Sequence, residues 1–350
     1  MELETMKVAV LGAANFVGQP LSLLLKLNGK INELALFDKK GGYGVCADLS
    51  HINRNCVVSG YEKEEELSKC LKGSDVVVIC ANSVGDYKEI SDEEELFAKN
   101  NVEVKKLARK IIEFSSNAVV VMLSEPVDYL VPMVSEMFSK RRLSSKVYGI
   151  STLHLVRSEV FLRELLHKKG ITDRDEELRS SLRVLGGSCG RSIVPVIVNS
   201  GLKELLSCEE YFAFVEHVQH GDEEVVAAKG GRGSATLSMA YAGNRFVSKL
   251  VDEMGSGGVG AGAGAGAGES AYVRVNKELL SRSGAAAQWL AGVEYFALPM
   301  SVDAAGVAVS VDESFLAGLG ADEMRLLAGA AEAVKHAASK AENHVRGPRL

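Results

Sequence analysis

The first part of the chain joins a short apolar run to a segment of helical periodicity. Lys7–Leu11 consists of β-branched and small apolar residues, which is typical of a buried parallel strand. Three leucines then recur at helical spacing within residues 19–26. Gly12 stands between the two segments. The pattern therefore predicts a strand, a glycine turn and a helix.

The same two periodicities continue along the chain. Further strands are predicted at residues 34–37, 76–81, 118–123, 179–185, 272–275, 295–299 and 306–311. Helices are predicted to begin within residues 44–52 and 91–94, and to cover residues 151–166, 223–251 and 321–341. Strands that alternate with helices favour an α/β fold, in which a doubly wound parallel sheet carries helices on both faces.

Composition narrows the class of protein. The chain has 350 residues, 47% of them hydrophobic and 25% charged, with a net charge of −6. This balance gives no electrostatic reason to expect nucleic acid or an anionic membrane as a partner. Six cysteines are scattered without metal-ligand spacing, so we expect free thiols and no metal site. A cytoplasmic protein with no membrane span is predicted, with a low-complexity Gly-Ala insertion at residues 255–268.

The turn after the first strand is the first candidate site. Gly12, Asn15 and Gly18 follow the spacing of a dinucleotide-binding turn, except that asparagine stands at the middle glycine position. Asp38 ends the second strand twenty residues after Gly18, where an acid binds ribose hydroxyls. Asn15 tolerates a left-handed backbone, so we expect weakened rather than blocked cofactor binding.

Several longer segments together resemble one family. They read GAANFVGQPLSLLLK, GVCADLSHI, DVVVICA, ELFAKNN, SEPVDYLVP, YGISTLHLVRS, VPVIVNSG and GRGSATLSMAYAGNRF. In this order they are similar to NAD-dependent malate dehydrogenases of the lactate/malate dehydrogenase family. The resemblance implies a Rossmann NAD-binding domain over residues 1–150 and an α+β substrate domain over residues 151–350. Among the kept positions it marks Asn100 as part of the cofactor site.

The resemblance also locates the catalytic pair, and both positions are changed. The family's proton-accepting histidine lies in G-G-H-x-G, where this chain has Ser188. The carboxylate that orients it lies in T-T-L-D-x-x-R, where this chain has His154 and keeps Arg157. A neutral imidazole is what takes the proton of a substrate hydroxyl. The changes therefore predict that malate turnover is lost or very weak.

The substrate clamp is altered as well. The family places two arginines in the loop V-P-R-K-P-G-M-x-R, whereas this chain has no arginine between Arg54 and Arg109. Its own loop, residues 82–95, carries six acids and one lysine, so it is expected to repel a dicarboxylate. Glu125 replaces the asparagine of the family's S-N-P-V run, where nicotinamide and substrate would meet.

Three functions remain open from the sequence. The first is a non-catalytic family member with a binding or regulatory role, which pairs with itself or with an active relative. The second is an active NAD-dependent 2-hydroxy acid dehydrogenase with an altered substrate, in which His154 acts as the proton donor and Arg157 holds one carboxylate. The third is a hydrolase, because residues 186–190 read G-x-S-x-G. Pro348, Arg349 and Leu350 weakly resemble a peroxisomal signal, which is the alternative to a cytoplasmic location.

Overall fold

The computed structural model describes residues 5–84, 87–144, 146–256, 269–281, 284–285, 290 and 292–346. Most of the Gly-Ala segment, Asp86 of the acidic loop and the C-terminal tripeptide lie outside the described residues. The strands are β1 (Lys7–Leu11), β2 (Glu33–Phe37), β3 (Val57–Tyr61), β4 (Val76–Ile79), β5 (Val119–Met122), β6 (Val147–Ile150), β7 (Leu182–Gly186), β8 (Ile193–Ile197), β9 (Ser270–Arg274), β10 (Tyr295–Val302) and β11 (Ala308–Val311).

Helices connect these strands. They are α1 (Gly18–Leu27), α2 (Gly42–Ser50), α3 (Leu67–Leu71), α4 (Glu93–Phe114), α5 (Val127–Lys140), α6 (Thr152–Lys168), α7 (Asp175–Ser181), α8 (Ser200–Lys203), α9 (Cys208–Ala228), α10 (Leu237–Gly255), α11 (Lys277–Ser281) and α12 (Ala321–Arg346). Single 3₁₀ turns lie at Glu64–Glu66, Tyr87–Glu89, Gly190–Ser192 and Glu313–Gly318.

One mixed sheet organises the molecule. Its first six strands run parallel in the order β3-β2-β1-β4-β5-β6. Beyond β6 the order continues β9-β10-β7-β8 with antiparallel pairing, and β11 pairs with β10. The parallel strands β1, β4 and β5 are buried along their whole length, as their continuous apolar runs require. The predicted fold class is confirmed: a doubly wound parallel sheet followed by an α+β part.

The structure differs from the prediction at β3 and in the segment between α6 and β7. β3 was missed because its sequence, VVSGY, lies half-exposed at the edge of the sheet and lacks a continuous apolar run. The strand predicted at residues 179–185 was wrong in its first half, because three acids open a helix, α7, that lasts until Ser181.

The long helix predicted over residues 223–251 is interrupted. α9 ends at Ala228 and α10 begins at Leu237. Gly230, Gly231 and Gly233 all have positive φ between them, a conformation that a helix does not contain. The break creates a loop that approaches the candidate site, since the Tyr87 amide donates to the Gly231 carbonyl at 3.0 Å.

The acidic run before α4 is a helix cap, as predicted, but it lies one residue further along. Asp92 is the N-cap, and its carboxylate accepts from the Glu95 amide at 2.9 Å. Glu95 in turn accepts from the backbone and hydroxyl of Ser91. The interpretation of this run as structural therefore has direct geometric support.

Candidate active site

The glycine turn lies where the strand order reverses, between the carboxyl ends of β1 and β4. Gly12 has φ +94°, and a Cβ added there would lie 2.7 Å from the Ala81 nitrogen. A Cβ on Gly18 would lie 2.1 Å from the Gly12 carbonyl oxygen. Both glycines are therefore required for the strand and α1 to approach this closely.

Asn15 does not use the left-handed conformation that asparagine tolerates, since it is not among the described non-glycine residues with positive φ. Its side-chain oxygen instead accepts from the amides of Val17, at 2.9 Å, and Gly18, at 2.7 Å. Its amide donates to the Cys80 carbonyl at 2.6 Å. The Asn15 side chain thus accepts hydrogen bonds from amides at the start of α1 that would otherwise be available to a phosphate.

Asp38 lies beside this turn at the end of β2. One carboxylate oxygen accepts from the Ala14 amide at 3.0 Å, and the other lies 3.4 Å from the Lys40 amide. A cavity of about 220 Å³ opens here. Its lining comprises Gly12, Asn15, Phe37, Asp38, Lys39, Ala81, Asn82, Ser83, Glu103 and Leu107. The carboxylate of Asp38 is placed to accept ribose hydroxyls, so these residues fit a nucleotide.

A second cluster forms around the start of α6. His154, 3% exposed, lies on α6, and its Nε2 is 3.2 Å from the Oγ of Ser188 in the loop after β7. Burial lowers the pKa of His154 to about 4, a shift that the Asp222 charge opposes. The imidazole is therefore neutral and only weakly basic. Its Nδ1 is buried and has no hydrogen-bond partner among the residues that the structure describes.

Asp128 of α5 fixes the serine loop. Its two oxygens accept from the Ser188 amide at 2.8 Å and from the Ser192 hydroxyl at 2.9 Å. Burial raises the pKa of Asp128 to about 7. The loop continues through the 3₁₀ turn Gly190–Ser192 into a strand, β8. A hydrolase nucleophile elbow requires a strand-to-helix turn, and this loop does not provide one.

Arg157 is the cation of this cluster, and it forms an ion pair with Asp222. Its Nη2 donates to the Oδ1 of Asp222 on α9 at 2.6 Å. The arginine side chain is 8% exposed and that of Asp222 33%. Its side chain also lies over the backbone of Gly221, where an added Cβ would be 3.0 Å from the arginine Cδ. Arg157 Nη1 is buried without a partner among the described atoms.

Sequence reasoning missed Asp222, although a signal for it exists. The buried face of α9 includes Val215 and Val218, and Asp222 continues that face at helical spacing. An acid on an otherwise apolar stripe indicates a buried or ligand-facing partner. Its partner could not be predicted, because Arg157 is 65 residues away in the chain.

Glu125 lies just after β5, and Asn100 lies on α4. The Asn100 amide donates to the Glu125 carbonyl at 2.8 Å, and its oxygen accepts from the Ser83 amide at 2.8 Å. Asn100 therefore joins the chain segments after β4 and β5. The side chain of Glu125 lies half-buried near Asp222, and burial together with that charge raises the pKa of Glu125 to about 8.

Tyr87 connects the acidic loop with this cluster. Its hydroxyl accepts from the Asn82 amide at 2.8 Å. Burial and the nearby charge of Glu125 raise the pKa of Tyr87 to about 12. The loop therefore brings a neutral phenol rather than a guanidinium towards Glu125.

Within the described ranges, no group of three or more histidine, cysteine or acidic side chains is arranged to hold a metal ion. No helix in that part of the chain is long and apolar enough to span a membrane.

The sheet reversal, the glycine turn and the cluster beside α6 define an α/β protein with a nucleotide cradle next to a buried polar cluster. Residues 6–146 match the family model for the lactate/malate dehydrogenase NAD binding domain. Residues 151–345 match the model for the lactate/malate dehydrogenase alpha/beta C-terminal domain. The chain belongs to the lactate/malate dehydrogenase family.

Individual relatives agree with this assignment. The chain is 35% identical to the peroxisomal malate dehydrogenase of Saccharomyces cerevisiae over 97% of its own length and 98% of the relative's. It is 42% identical to the mitochondrial malate dehydrogenase of Macaca fascicularis over 72% and 73% of the two chains.

Solved structures support the fold. The malate dehydrogenase from Picrophilus torridus in its apo form aligns with a TM-score of 0.74 at 19% identity, over 97% of this chain and 98% of that chain. The lactate dehydrogenase from Cryptosporidium parvum complexed with lactic acid and nicotinamide adenine dinucleotide aligns with a TM-score of 0.71 at 20% identity, over 99% of both.

Proposed function

We propose that this chain is a nucleotide-binding member of its family in which malate–oxaloacetate turnover is lost or very weak, and that it acts as a binding or regulatory protein. The observation that carries the proposal is the contact between His154 and Ser188. A serine hydroxyl, with a pKa far above neutrality, takes the place at which the family resemblance expects the base. Loss of a general base costs about 10²- to 10⁴-fold in rate.

Nucleotide binding is supported by the cradle. Gly12 and Gly18 keep the close approach of the strand and α1, and Asp38 faces the cavity with a carboxylate. NAD, when bound, would supply a hydride acceptor, and NADH a hydride donor. Asn15 competes for the amides of the first turn, so we expect weaker binding than a glycine turn would give.

The charges around the cluster argue against a dicarboxylate. Arg157 is paired with Asp222, and Glu125 lies close to the same pair. A bound dicarboxylate would meet the Asp222 carboxylate, an arginine that Asp222 already neutralises, and Glu125, which adds a second negative charge when it ionises with a pKa of about 8. Dicarboxylate binding is therefore expected to be weak even when the cofactor is present.

A pairing role is supported by apolar side chains on helices that touch one another. α10 packs against both α1 and α6. Exposed apolar residues on these helices are Leu23, Leu27, Val160, Leu237 and Tyr241. We propose that this face pairs with a second copy or with an active relative. Sedimentation of the purified chain tests this: a concentration-independent monomer that Leu237→Asp leaves unchanged would contradict pairing with itself.

The second candidate is a dehydrogenase with an altered substrate. The observation that favours it is the pair of unpartnered buried atoms, Nδ1 of His154 and Nη1 of Arg157. A neutral imidazole can accept a hydroxyl proton, but a pKa of about 4 makes His154 a weak base at neutral pH. The geometry therefore supports this function less well than the non-catalytic one.

One preparation of purified protein separates the two candidates. NADH is titrated by calorimetry, and the same sample is assayed with oxaloacetate and with a panel of neutral, cationic and monocarboxylic 2-keto compounds. Binding of NADH without oxidation supports the proposal. Rapid oxaloacetate reduction would overturn it, and turnover of another 2-keto compound would favour the second candidate. Absence of NADH binding would remove the nucleotide role.

A further inference from the structure

The Arg157–Asp222 pair carries an inference about the ligand of this pocket. Arg157 is the one arginine that the family resemblance marks in the cluster. Its Nη2 donates to Asp222 at 2.6 Å, which is short even for a charge-assisted bond. Arginine recognises a ligand carboxylate most strongly through its charge and two parallel donors. The bond to Asp222 neutralises that charge and uses one Nη2 hydrogen, so a ligand carboxylate would compete with Asp222 for the guanidinium.

We propose that Asp222 determines ligand selection in this pocket by holding the Arg157 guanidinium in an internal ion pair, so that the pocket rejects carboxylates and accepts a small neutral ligand with a carbonyl or hydroxyl acceptor. The inference rests on the proposed function, because it concerns the same pocket. It extends that function by naming the chemical class of the ligand.

The first supporting observation is the packing of the arginine. The arginine side chain is 8% exposed and lies over the Gly221 backbone, with a hypothetical Cβ at 3.0 Å from its Cδ. The arginine side chain is therefore buried and packed closely against α9, which carries Asp222. Its hydrogen bond and charge lower the pKa of Asp222 although burial works in the opposite direction, so the carboxylate stays ionised at neutral pH.

The second observation is the donor that remains. Arg157 Nη1 is buried and has no partner in the described part of the chain. A buried donor without an acceptor is unfavourable, so a ligand acceptor that reaches it would be stabilised. A neutral carbonyl satisfies this donor without adding an anion beside Asp222 and Glu125.

The third observation is the lack of a compensating cation. The charged groups that act on Glu125 are Asp222, which raises its pKa, and Arg157, which lowers it. Because the pKa of Glu125 is about 8, this acid is mostly protonated at neutral pH, and Asp222 alone offsets the charge of Arg157. An added carboxylate would therefore gain no net attraction at neutral pH and would be repelled once Glu125 ionises. Asp222 is thus a specificity-determining residue that acts through Arg157.

Lactate and lactamide form a matched pair of probes. They have nearly the same shape and differ in a carboxylate against a neutral amide, and NADH reduces neither of them. Binding of each to the NADH-loaded chain is measured by ligand-observed NMR. The wild-type chain is expected to bind lactamide more tightly than lactate.

Asp222→Asn tests the residue directly. Asparagine keeps an oxygen that accepts from Arg157 but removes the charge, so folding is disturbed little. Lactate binding should strengthen by about tenfold or more, equivalent to about 1.4 kcal/mol, while lactamide changes less than about threefold. Asp222→Glu keeps the carboxylate and should continue to reject lactate. Asp322→Asn, in an exposed pair with Arg325, is the control that should change neither.

Adding Arg157→Gln to Asp222→Asn should abolish the gain, because the freed guanidinium is what binds lactate. The inference is overturned if wild-type chain binds lactate at least as tightly as lactamide, if Asp222→Asn strengthens both probes equally, if the gain survives Arg157→Gln, or if no variant binds either probe. Thermal denaturation confirms that each variant is folded. If NADH itself does not bind, the proposed nucleotide role is contradicted. Binding of lactate and lactamide is then measured on the chain without NADH, and it still tests the role of Asp222.

Discussion

The nucleotide cradle and the pocket beside α6 belong to one sheet but differ in what their residues do. In the cradle, positions 12 and 18 require glycine because a side chain would collide with the backbone. A Cβ would lie 2.7 Å from the Ala81 nitrogen at position 12 and 2.1 Å from the Gly12 oxygen at position 18. In the pocket, side chains are paired with one another: His154 with Ser188, and Arg157 with Asp222. The cradle is therefore constrained by the fold, whereas the pocket has been free to change chemistry without loss of the fold.

This difference in constraint explains why one family member keeps the glycines of the cradle and has changed polar residues in the cluster. Glycines that pack strand against helix cannot be replaced without moving backbone. Polar side chains in a pocket can be replaced when new partners satisfy them, as Asp128 satisfies the Ser188 amide. Resemblance along the chain then reports the fold more faithfully than it reports the reaction.

The largest effect is expected from Gly18→Ala. Its Cβ would overlap the Gly12 carbonyl, so α1 must shift, and the free energy of unfolding should fall by about 2–4 kcal/mol. Denaturant titration measures this. Gly29→Ala is the matched control, since no atom lies within 4 Å of its added Cβ, and should change stability by less than about 0.5 kcal/mol. Equal effects of the two variants would contradict the packing constraint on the cradle.

The next effect concerns the cofactor. Asp38→Asn keeps an acceptor for the Ala14 amide but removes the charge that strengthens bonds to ribose hydroxyls. NADH affinity should fall by about tenfold, as calorimetry would measure. Asp48→Asn on α2 is exposed and should leave the affinity unchanged. An unchanged affinity in Asp38→Asn would mean that the nucleotide does not use this carboxylate.

A pH effect is expected from Glu125 in the pocket. Its folded pKa of about 8 lies above the unfolded value, so the folded state holds the extra proton between these values. Stability contributed by this group is therefore present at low pH and is lost as pH rises from about 4.5 to about 8, by several kcal/mol at about 1.4 kcal/mol per pKa unit. Denaturant titrations across this range should show a smaller decline for Glu125→Gln. The exposed variant Glu65→Gln should retain the wild-type slope, and a Glu125→Gln slope equal to wild type would refute the raised pKa.

The smallest effect is expected at the acidic run before α4. Asp92→Ala removes the cap on the Glu95 amide and should lower the free energy of unfolding by about 1 kcal/mol. NADH affinity should not change, because the run is structural. Asp92→Asn, which retains a capping oxygen, should be close to wild type. A loss of NADH affinity in Asp92→Ala without a loss of stability would instead place the run in the site.

Much of the fold was predictable because the parallel strands are continuous apolar runs. β3 was not, since an exposed edge strand has no such run. The break between α9 and α10 was missed although Gly230, Gly231 and Gly233 mark it in the sequence. In the site, the resemblance brought His154 and Ser188 to notice, and the structure places them 3.2 Å apart. The partnership of Arg157 with Asp222 could not be derived, because it depends on how α6 packs against α9.

A single-turnover experiment tests the central claim most directly. The purified chain, in excess over NADH, is mixed rapidly with oxaloacetate, and NADH absorbance is followed together with malate formation. Because no product release is needed, even a slow chemical step would be visible. The account predicts that NADH remains bound and unoxidised over many minutes. Stoichiometric conversion to malate at about 1 s⁻¹ or faster, the ordinary range for enzymes, would contradict it.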